Sequence, residues 1–312
     1  MGTNYLRYEP DDPLTTPHSL LVNATRRAHQ RPTPTRLGLV NFGHLDNLAT
    51  TLRMRGQLNE AEQMQRDTLS LRLDVLGQRH PDTISAMSNL ANTLKMRGQL
   101  DEAEKMHRTV LAMRLKILGL RHPDTISAMS DLADTLRMCG QLDEAEQMQR
   151  EVLALRLKIL GEKHADTVNA MNNLAATLQT RGQLDEAESI QRDVLALQLE
   201  ILGQRHPDTI VALSNLAATL VERGQLGEAE TMQRDALALR LALLGQRHPH
   251  TLSATYNLSR TLCIRHQFGE AIQLLQPTMR LRVQVLGEGH PRTRNSEKLL
   301  KYAISMQSCS NS

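Results

Sequence analysis

Apolar residues recur at helical spacing in short blocks that repeat along the chain. Ile84, Met87, Leu90, Ala91 and Leu94 form one such stripe, followed by Gly98-Gln99-Leu100 and a second apolar-periodic block that closes at Leu118-Gly119. The three- and four-residue spacing predicts two amphipathic helices joined by a glycine break. Acids in the first turn of the second block (Asp101, Glu102, Glu104) and bases toward its end (Arg114, Lys116) match the helix dipole, and the terminal glycine matches a C-cap. The whole pattern returns every 42 residues: His80-Pro81-Asp82-Thr83 reappears from His122, and its histidine again at His164, His206, His248 and His290. A fixed period in this range marks a stack of identical supersecondary units, none of which buries its apolar face alone.

The register divides the chain into a segment 1–37, six helix-turn-helix units over 38–289, and a capping helix with tail over 290–312. Residues 1–37 hold five prolines (Pro10, Pro13, Pro17, Pro32, Pro34), a composition that resists regular structure. The first unit, 38–79, lacks the His-Pro-Asp-Thr opening. The last opening, His290-Pro291-Arg292-Thr293, leads into one helix predicted over Arg294 to about Met306. The expected fold is all-α: a right-handed α-solenoid of six repeats plus a C-terminal capping helix.

Composition sharpens this picture. Of 312 residues 40% are apolar, yet there is no Trp and only two Phe and four Tyr. Leu, Ala, Met, Ile and Val must fill the interior, which suits thin helical layers. The net charge of +3 is spread in mixed sign, so no nucleic-acid stripe is indicated. No apolar run is long enough to span a membrane, and the start of the chain lacks a signal-peptide pattern. Cys139, Cys263 and Cys309 sit at non-equivalent repeat positions and read as free thiols of a reducing, cytoplasmic compartment. The periodic histidines lie one repeat apart, about 10 Å by helix-layer spacing. They read as packing at the helix start, because metal ligands must converge more closely. No nucleophile elbow, phosphate loop or H-E-x-x-H motif occurs. The expectation is therefore no enzyme, no metal and no cofactor.

The run Asn89-Leu90-Ala91, Leu94, Gly98, Leu100, Ala103 and Val110 resembles a tetratricopeptide repeat, as does Asn173-Leu174-Ala175, Leu178, Gly182, Leu184, Ala187 and Val194. The 42-residue period and the His-Pro-Asp-Thr start are similar to the kinesin light chain type and to the repeat arrays of fungal NLR-like proteins. The Pro-broken segment 1–37 departs from the heptad segment of a kinesin light chain, and no G-x-x-x-x-G-K-[ST] motif of an NLR nucleotide-binding domain occurs.

The resemblance implies that first helices line a concave groove that takes an extended peptide. Its expected positions are the row Asn47, Asn89, Asp131, Asn173, Asn215 and Asn257, together with Asn92, Asp134 and the basic row Arg53, Lys95 and Arg137. An asparagine offers donor and acceptor at once, so a row of them suits peptide-backbone pairing. Alternatively each Asn bonds only a neighbouring helix. The second and third repeats differ at ten positions, and three first-helix differences, Asn89/Asp131, Asn92/Asp134 and Lys95/Arg137, share one face. The basic row makes an acidic ligand segment one expectation, and a merely solvated charged face the other. The expected partner is a protein or peptide, with no nucleic acid and no membrane, and with self-association an open possibility. Docking within a larger NLR-like receptor and cargo adaptation of the kinesin light chain kind are the alternative functions.

Overall fold

The computed structural model describes residues 42–311, and the segment 1–37 read above as irregular lies outside them. The described residues form thirteen α-helices and no strand. In chain order they are α1 (Phe42–Met54), α2 (Leu58–Leu76), α3 (Pro81–Met96), α4 (Leu100–Leu118), α5 (Pro123–Met138), α6 (Leu142–Leu160) and α7 (Ala165–Thr180). There follow α8 (Leu184–Leu202), α9 (Pro207–Glu222), α10 (Leu226–Leu244), α11 (Pro249–Ile264), α12 (Phe268–Leu286) and α13 (Pro291–Asn311). Odd-numbered helices up to α11 are the first helices of the repeats, and even-numbered ones the second. The array is of the α-solenoid class. The described residues fall into two compact units, 42–148 and 149–311.

Local chemistry fixes each helix boundary. Every first helix from α3 onward, and α13 as well, begins after a histidine whose Nδ1 accepts the backbone N–H two residues on. His80 takes that of Asp82 at 3.2 Å, His122 that of Asp124 at 3.2 Å and His164 that of Asp166 at 3.1 Å. His206, His248 and His290 repeat the bond to Asp208, His250 and Arg292 at 3.1–3.2 Å. The imidazole thus does what Ser, Thr or Asp does at most helix starts. Proline follows as the first helical residue at all of these starts but that of α7, and its missing N–H costs nothing at that position. The same cap explains why α13 starts at Pro291 rather than at the expected Arg294. It also runs on to Asn311, past the expected end near Met306, with Ser305 and Ser308 hydroxyls bonded to the carbonyls of Tyr302 and Ile304.

The turn between the two helices of a repeat needs a left-handed residue. Gly98 holds φ 78°, and a Cβ there would meet nothing within 4 Å. Conformation, not crowding, therefore selects glycine.

Packing follows the same period. In the first unit one buried cluster joins Leu69 of α2, Ile84, Met87, Leu90 and Leu94 of α3, Ala103 and Val110 of α4, and Ala128 of α5. Each layer is thus completed by its neighbours on both sides, the dependence that makes a lone repeat unstable. Ala91 and Ala103 are fully buried where the paired helices approach most closely. In the second unit Val168 and Met171 of α7, Val194 and Leu197 of α8 and Ala212 of α9 repeat the arrangement. Leu258, Leu262, Phe268 and Ala271 close it against Ala303 of α13.

A ladder of ion pairs runs along the second helices. Arg66 reaches Glu102 at 2.8 Å and Arg108 reaches Glu144 at 2.8 Å in the first unit. Arg150–Glu186, Arg192–Glu228 and Arg234–Glu270 continue it in the second. The first-turn acids therefore serve both their own helix and the preceding repeat. These pairs are largely exposed, so each contributes about 0.2–1 kcal/mol and chiefly sets register.

Candidate functional site

The face of interest is where consecutive first helices lie side by side, remote from their second-helix partners. In the first unit α1, α3 and α5 present Asn47, Asn89 and Asp131. The backbone carbonyls at these positions accept Thr51, Thr93 and Thr135 hydroxyls at 2.8, 3.2 and 2.9 Å. Asn47 is exposed and Asn89 partly so. Asp131 accepts from Ser88 Oγ at 3.5 Å and from the Asn92 amide of the preceding first helix. Burial pushes its carboxyl above the ordinary value, with the charge of Lys95 and the Asn92 bond partly offsetting the rise.

One turn further, Lys95 Nζ lies 2.7 Å from Asp134 Oδ2, and Arg137 Nη2 lies 2.7 Å from Asp134 Oδ1. Burial works against the charged Asp134, but the bonds from Lys95 and Arg137 outweigh it and hold the carboxyl below its usual range. Two of the three cations of the expected basic row are therefore engaged by one carboxylate, and Arg53 occupies the equivalent place on α1. Ser88, Asn92 and Lys95 on α3 meet Asp131 and Asp134 on α5 as one connected polar network. At Asp131 the row position does bond a neighbouring helix.

The network has a member that the sequence reading passed over. His107 of α4 is buried beneath it, with Nδ1 2.9 Å from Thr135 Oγ1 and Nε2 without a hydrogen-bond partner. Burial, then the charge of Lys95, lowers its pKa to about 4, with Asp134 opposing. The signal was present, because Gln65, Gln149, Gln191 and Gln233 hold the same repeat position.

The second unit is built differently. Asn173, Asn215 and Asn257 continue the row on α7, α9 and α11, and Asn215 and Asn257 are exposed. No acid occupies the place of Asp134; Ala176, Ala218 and Arg260 stand there. At the place of Lys95, Gln179 donates to Glu222 at 2.9 Å. The exposed amides therefore rise from a face with little fixed charge, open to main-chain hydrogen bonding.

Beneath this face lies a second-helix arginine row that periodicity alone did not single out. Arg72 is buried and makes two bonds to Asp46, at 3.2 and 2.6 Å. Arg240 and Arg282 hold the same place in the second unit without a carboxylate. Arg240 Nη2 donates to Ser214 Oγ at 3.0 Å, and Arg282 lies 5.0 Å from the ring centre of Tyr256. Among the described residues no group of three His, Cys, Asp or Glu is placed to hold a metal ion. No helix among them is long and apolar enough to cross a membrane.

Comparison with known proteins gives a consistent result. The tetratricopeptide repeat profile matches residues 42–116, 86–158, 124–200 and 166–242, and a second tetratricopeptide repeat profile matches 251–292. No curated protein sequence matches the chain. Among solved structures it is similar to a Podosopora anserina protein described as a kinesin light chain with nearly identical TPR-like repeats. That match is 27% identical, covers 66% of this chain and 98% of that one, and has a TM-score of 0.58. A single-substitution form of the same protein gives 27% identity, 66% and 97% coverage and a TM-score of 0.59. BtubC (BKLC) from P. vanneervenii covers 81% of this chain and 94% of its own at 20% identity and a TM-score of 0.58, a likeness of fold.

Proposed function

Because the chain belongs to the tetratricopeptide repeat family, we propose that it is a non-enzymatic protein–protein interaction scaffold that holds an extended peptide segment of another protein along its first-helix face. The observation that carries this reading is the pair Asn215 and Asn257, exposed on consecutive first helices of the second unit with no hydrogen bond of their side chains among the described residues. Each side-chain amide offers a donor and an acceptor, so such a row can pair with an extended backbone without demanding a particular sequence. In the first unit the polar network around Asp134 replaces that openness with fixed groups, so sequence selectivity is assigned there. A cytoplasmic setting belongs to the same reading, since Cys139, Cys263 and Cys309 are all free thiols.

The test is selection of a displayed library of unstructured peptides on this chain and on a triple Asn89→Ala, Asn173→Ala, Asn215→Ala form, with folding of both followed by circular dichroism. Peptides retained by the first and lost by the folded triple variant support the reading. Equal retention by both sinks it.

A second reading, docking or self-association, is favoured by one observation. Each second helix leaves apolar side chains exposed near its end, such as Ile117 in the first unit and Ile159, Ile201 and Leu243 in the second, at 43–46% exposure. A sedimentation measurement that finds only monomer at high concentration, with no partner domain required for solubility, would remove it.

A further inference from the structure

The turn that joins the second and third repeats holds an aliphatic residue that the fold does not require. Leu120 is 40% exposed there. The same place in the other turns carries Gln78, Glu162, Gln204, Gln246 and Glu288, so a polar residue serves the turn as well. Leu120 does not stand singly, because Leu115, Ile117 and Leu118 in the last turn of α4 are exposed too. A contiguous apolar patch of this kind marks an interaction surface.

Next to this residue lies a hole. Pro81 and Ile84 of α3 and Ile117 and Leu118 of α4 wall a pocket of about 200 Å³, whose polar lining includes Arg114 and Asp124. It is smaller than the roughly 300–1,000 Å³ of sites for free small molecules and suits one branched aliphatic side chain. Leu118 and His122, on either side of Leu120 in the chain, both line the pocket, which sets Leu120 at its edge. All of these groups belong to the first unit. The pocket also carries both signs of charge. Arg114 Nη1 donates to the Asp124 carbonyl at 2.8 Å, a bond that Arg72 and Arg156 also make in their repeats. Arg72 in addition holds the Asp46 carboxylate, whereas Arg114 forms no ion pair among the described residues. The Asp124 carboxylate is exposed, with His122 Nδ1 3.9 Å away.

We propose that two copies of this chain pair about a two-fold axis at this edge, with Leu120 of each copy seated in the pocket of the other. The inference rests on the self-association reading and deepens it by naming the surface. A two-fold interface needs one patch that carries both halves of each contact. Knob and hole adjoin here, and the axis that exchanges them also sets Arg114 of one copy against Asp124 of the other. The other repeats keep aliphatic residues at the places of Ile117 and Leu118, such as Ile159 and Leu160, but none has a knob like Leu120. The pairing is therefore confined to the second repeat and closes as a dimer. One knob and one hole per copy make a small interface, so association falls in the micromolar range or weaker.

The experiment is sedimentation velocity of the full chain from low to high micromolar concentration, beside three variants whose folding is checked by circular dichroism. Leu120→Gln removes the knob and copies Gln78, Gln204 and Gln246. Ser85→Tyr fills the pocket from an exposed lining position. Arg114→Gln removes the cation and copies Gln198. The expected result is a monomer–dimer equilibrium in the parent, weakened about tenfold or more by Leu120→Gln and by Ser85→Tyr, and severalfold by Arg114→Gln. A dimer of unchanged affinity in Leu120→Gln overturns this site and leaves self-association to another surface. A parent that stays monomeric at the highest concentration overturns both the site and the self-association reading. Species beyond the dimer that grow with concentration overturn the two-fold closure.

Discussion

Lys95 Nζ stands 2.7 Å from Asp134 Oδ2 and joins the first helices of consecutive repeats. Asp134 also holds Arg137 at 2.7 Å, so one carboxylate neutralises two cations at a site only partly open to water. Asp134→Asn, which copies the residue at Asn92, leaves both cations facing one another. It should cost about 1–3 kcal/mol, the range for losing charged hydrogen bonds at a partly buried site. Lys95→Met should cost less, because Asp134 keeps Arg137. Urea midpoints at unchanged slope measure both. A larger loss from Lys95→Met than from Asp134→Asn would show that the carboxylate is not the shared partner.

Acid should weaken the first unit through His107. Its folded pKa of about 4 lies below the ordinary histidine value of 6.5 because burial and Lys95 oppose the charged ring. Between those values the unfolded chain binds a proton that the folded chain refuses, so stability falls as pH falls from about 6.5 toward 4. The loss levels off below that, at about 3 kcal/mol by linkage. His107→Gln, the residue of four other repeats, should remove this component of the pH–stability curve and leave the neutral-pH midpoint close to the parent's. A curve of unchanged shape in the variant would assign the acid sensitivity elsewhere.

The repeat boundaries were legible because each is written in local chemistry. Pro81 starts a helix, Gly98 turns the chain and Gly119 ends the pair, and none of these needs a distant partner. The polar face was legible only as a set of positions. That Asp134 bonds Lys95, 39 residues earlier, depends on the rotation of one repeat against the next, which periodicity does not supply. The sequence reading therefore saw a basic row at Arg53, Lys95 and Arg137 where the fold makes a largely neutral network around Asp134. The histidines show the opposite case. Their spacing alone argued for a role at the helix start, and the structure adds the chemistry, an Nδ1 cap, which no count of residues reveals.

Ala187 is fully buried between Leu174, Leu178 and Ile190, at the closest approach of α7 and α8. Ala187→Leu adds volume where neither backbone has room to retreat, and should cost about 1–3 kcal/mol. Leu174→Ala in the same cluster should cost about 2–5 kcal/mol as a cavity. Because stability in an array is shared between neighbours, both should broaden the unfolding transition as well as shift it. Asn173→Ala, at the half-buried row position beside it, should move the midpoint less. Equal losses from Asn173→Ala and Leu174→Ala would place the asparagine in the core and end its assignment to the binding face.

The turn between α11 and α12 holds His266 at φ 60°, where five other repeats use glycine. A left-handed conformation costs a residue with a Cβ about 1–2 kcal/mol. Two terms oppose a simple gain from His266→Gly. Glycine loses more backbone entropy on folding, roughly 0.5–1 kcal/mol. The ring contact with Phe268, edge-on at 5.7 Å between centres, is also lost, a further 0.5–1 kcal/mol or so. The three nearly cancel, so His266→Gly should leave the thermal midpoint within a degree or two. His266→Ala keeps the strain and loses the ring, and should be destabilised by about 1 kcal/mol. Thermal unfolding of the three forms decides between strain and stacking: a clear rise for the glycine form would mean that the His266–Phe268 contact contributes nothing, and a clear fall that it outweighs the strain.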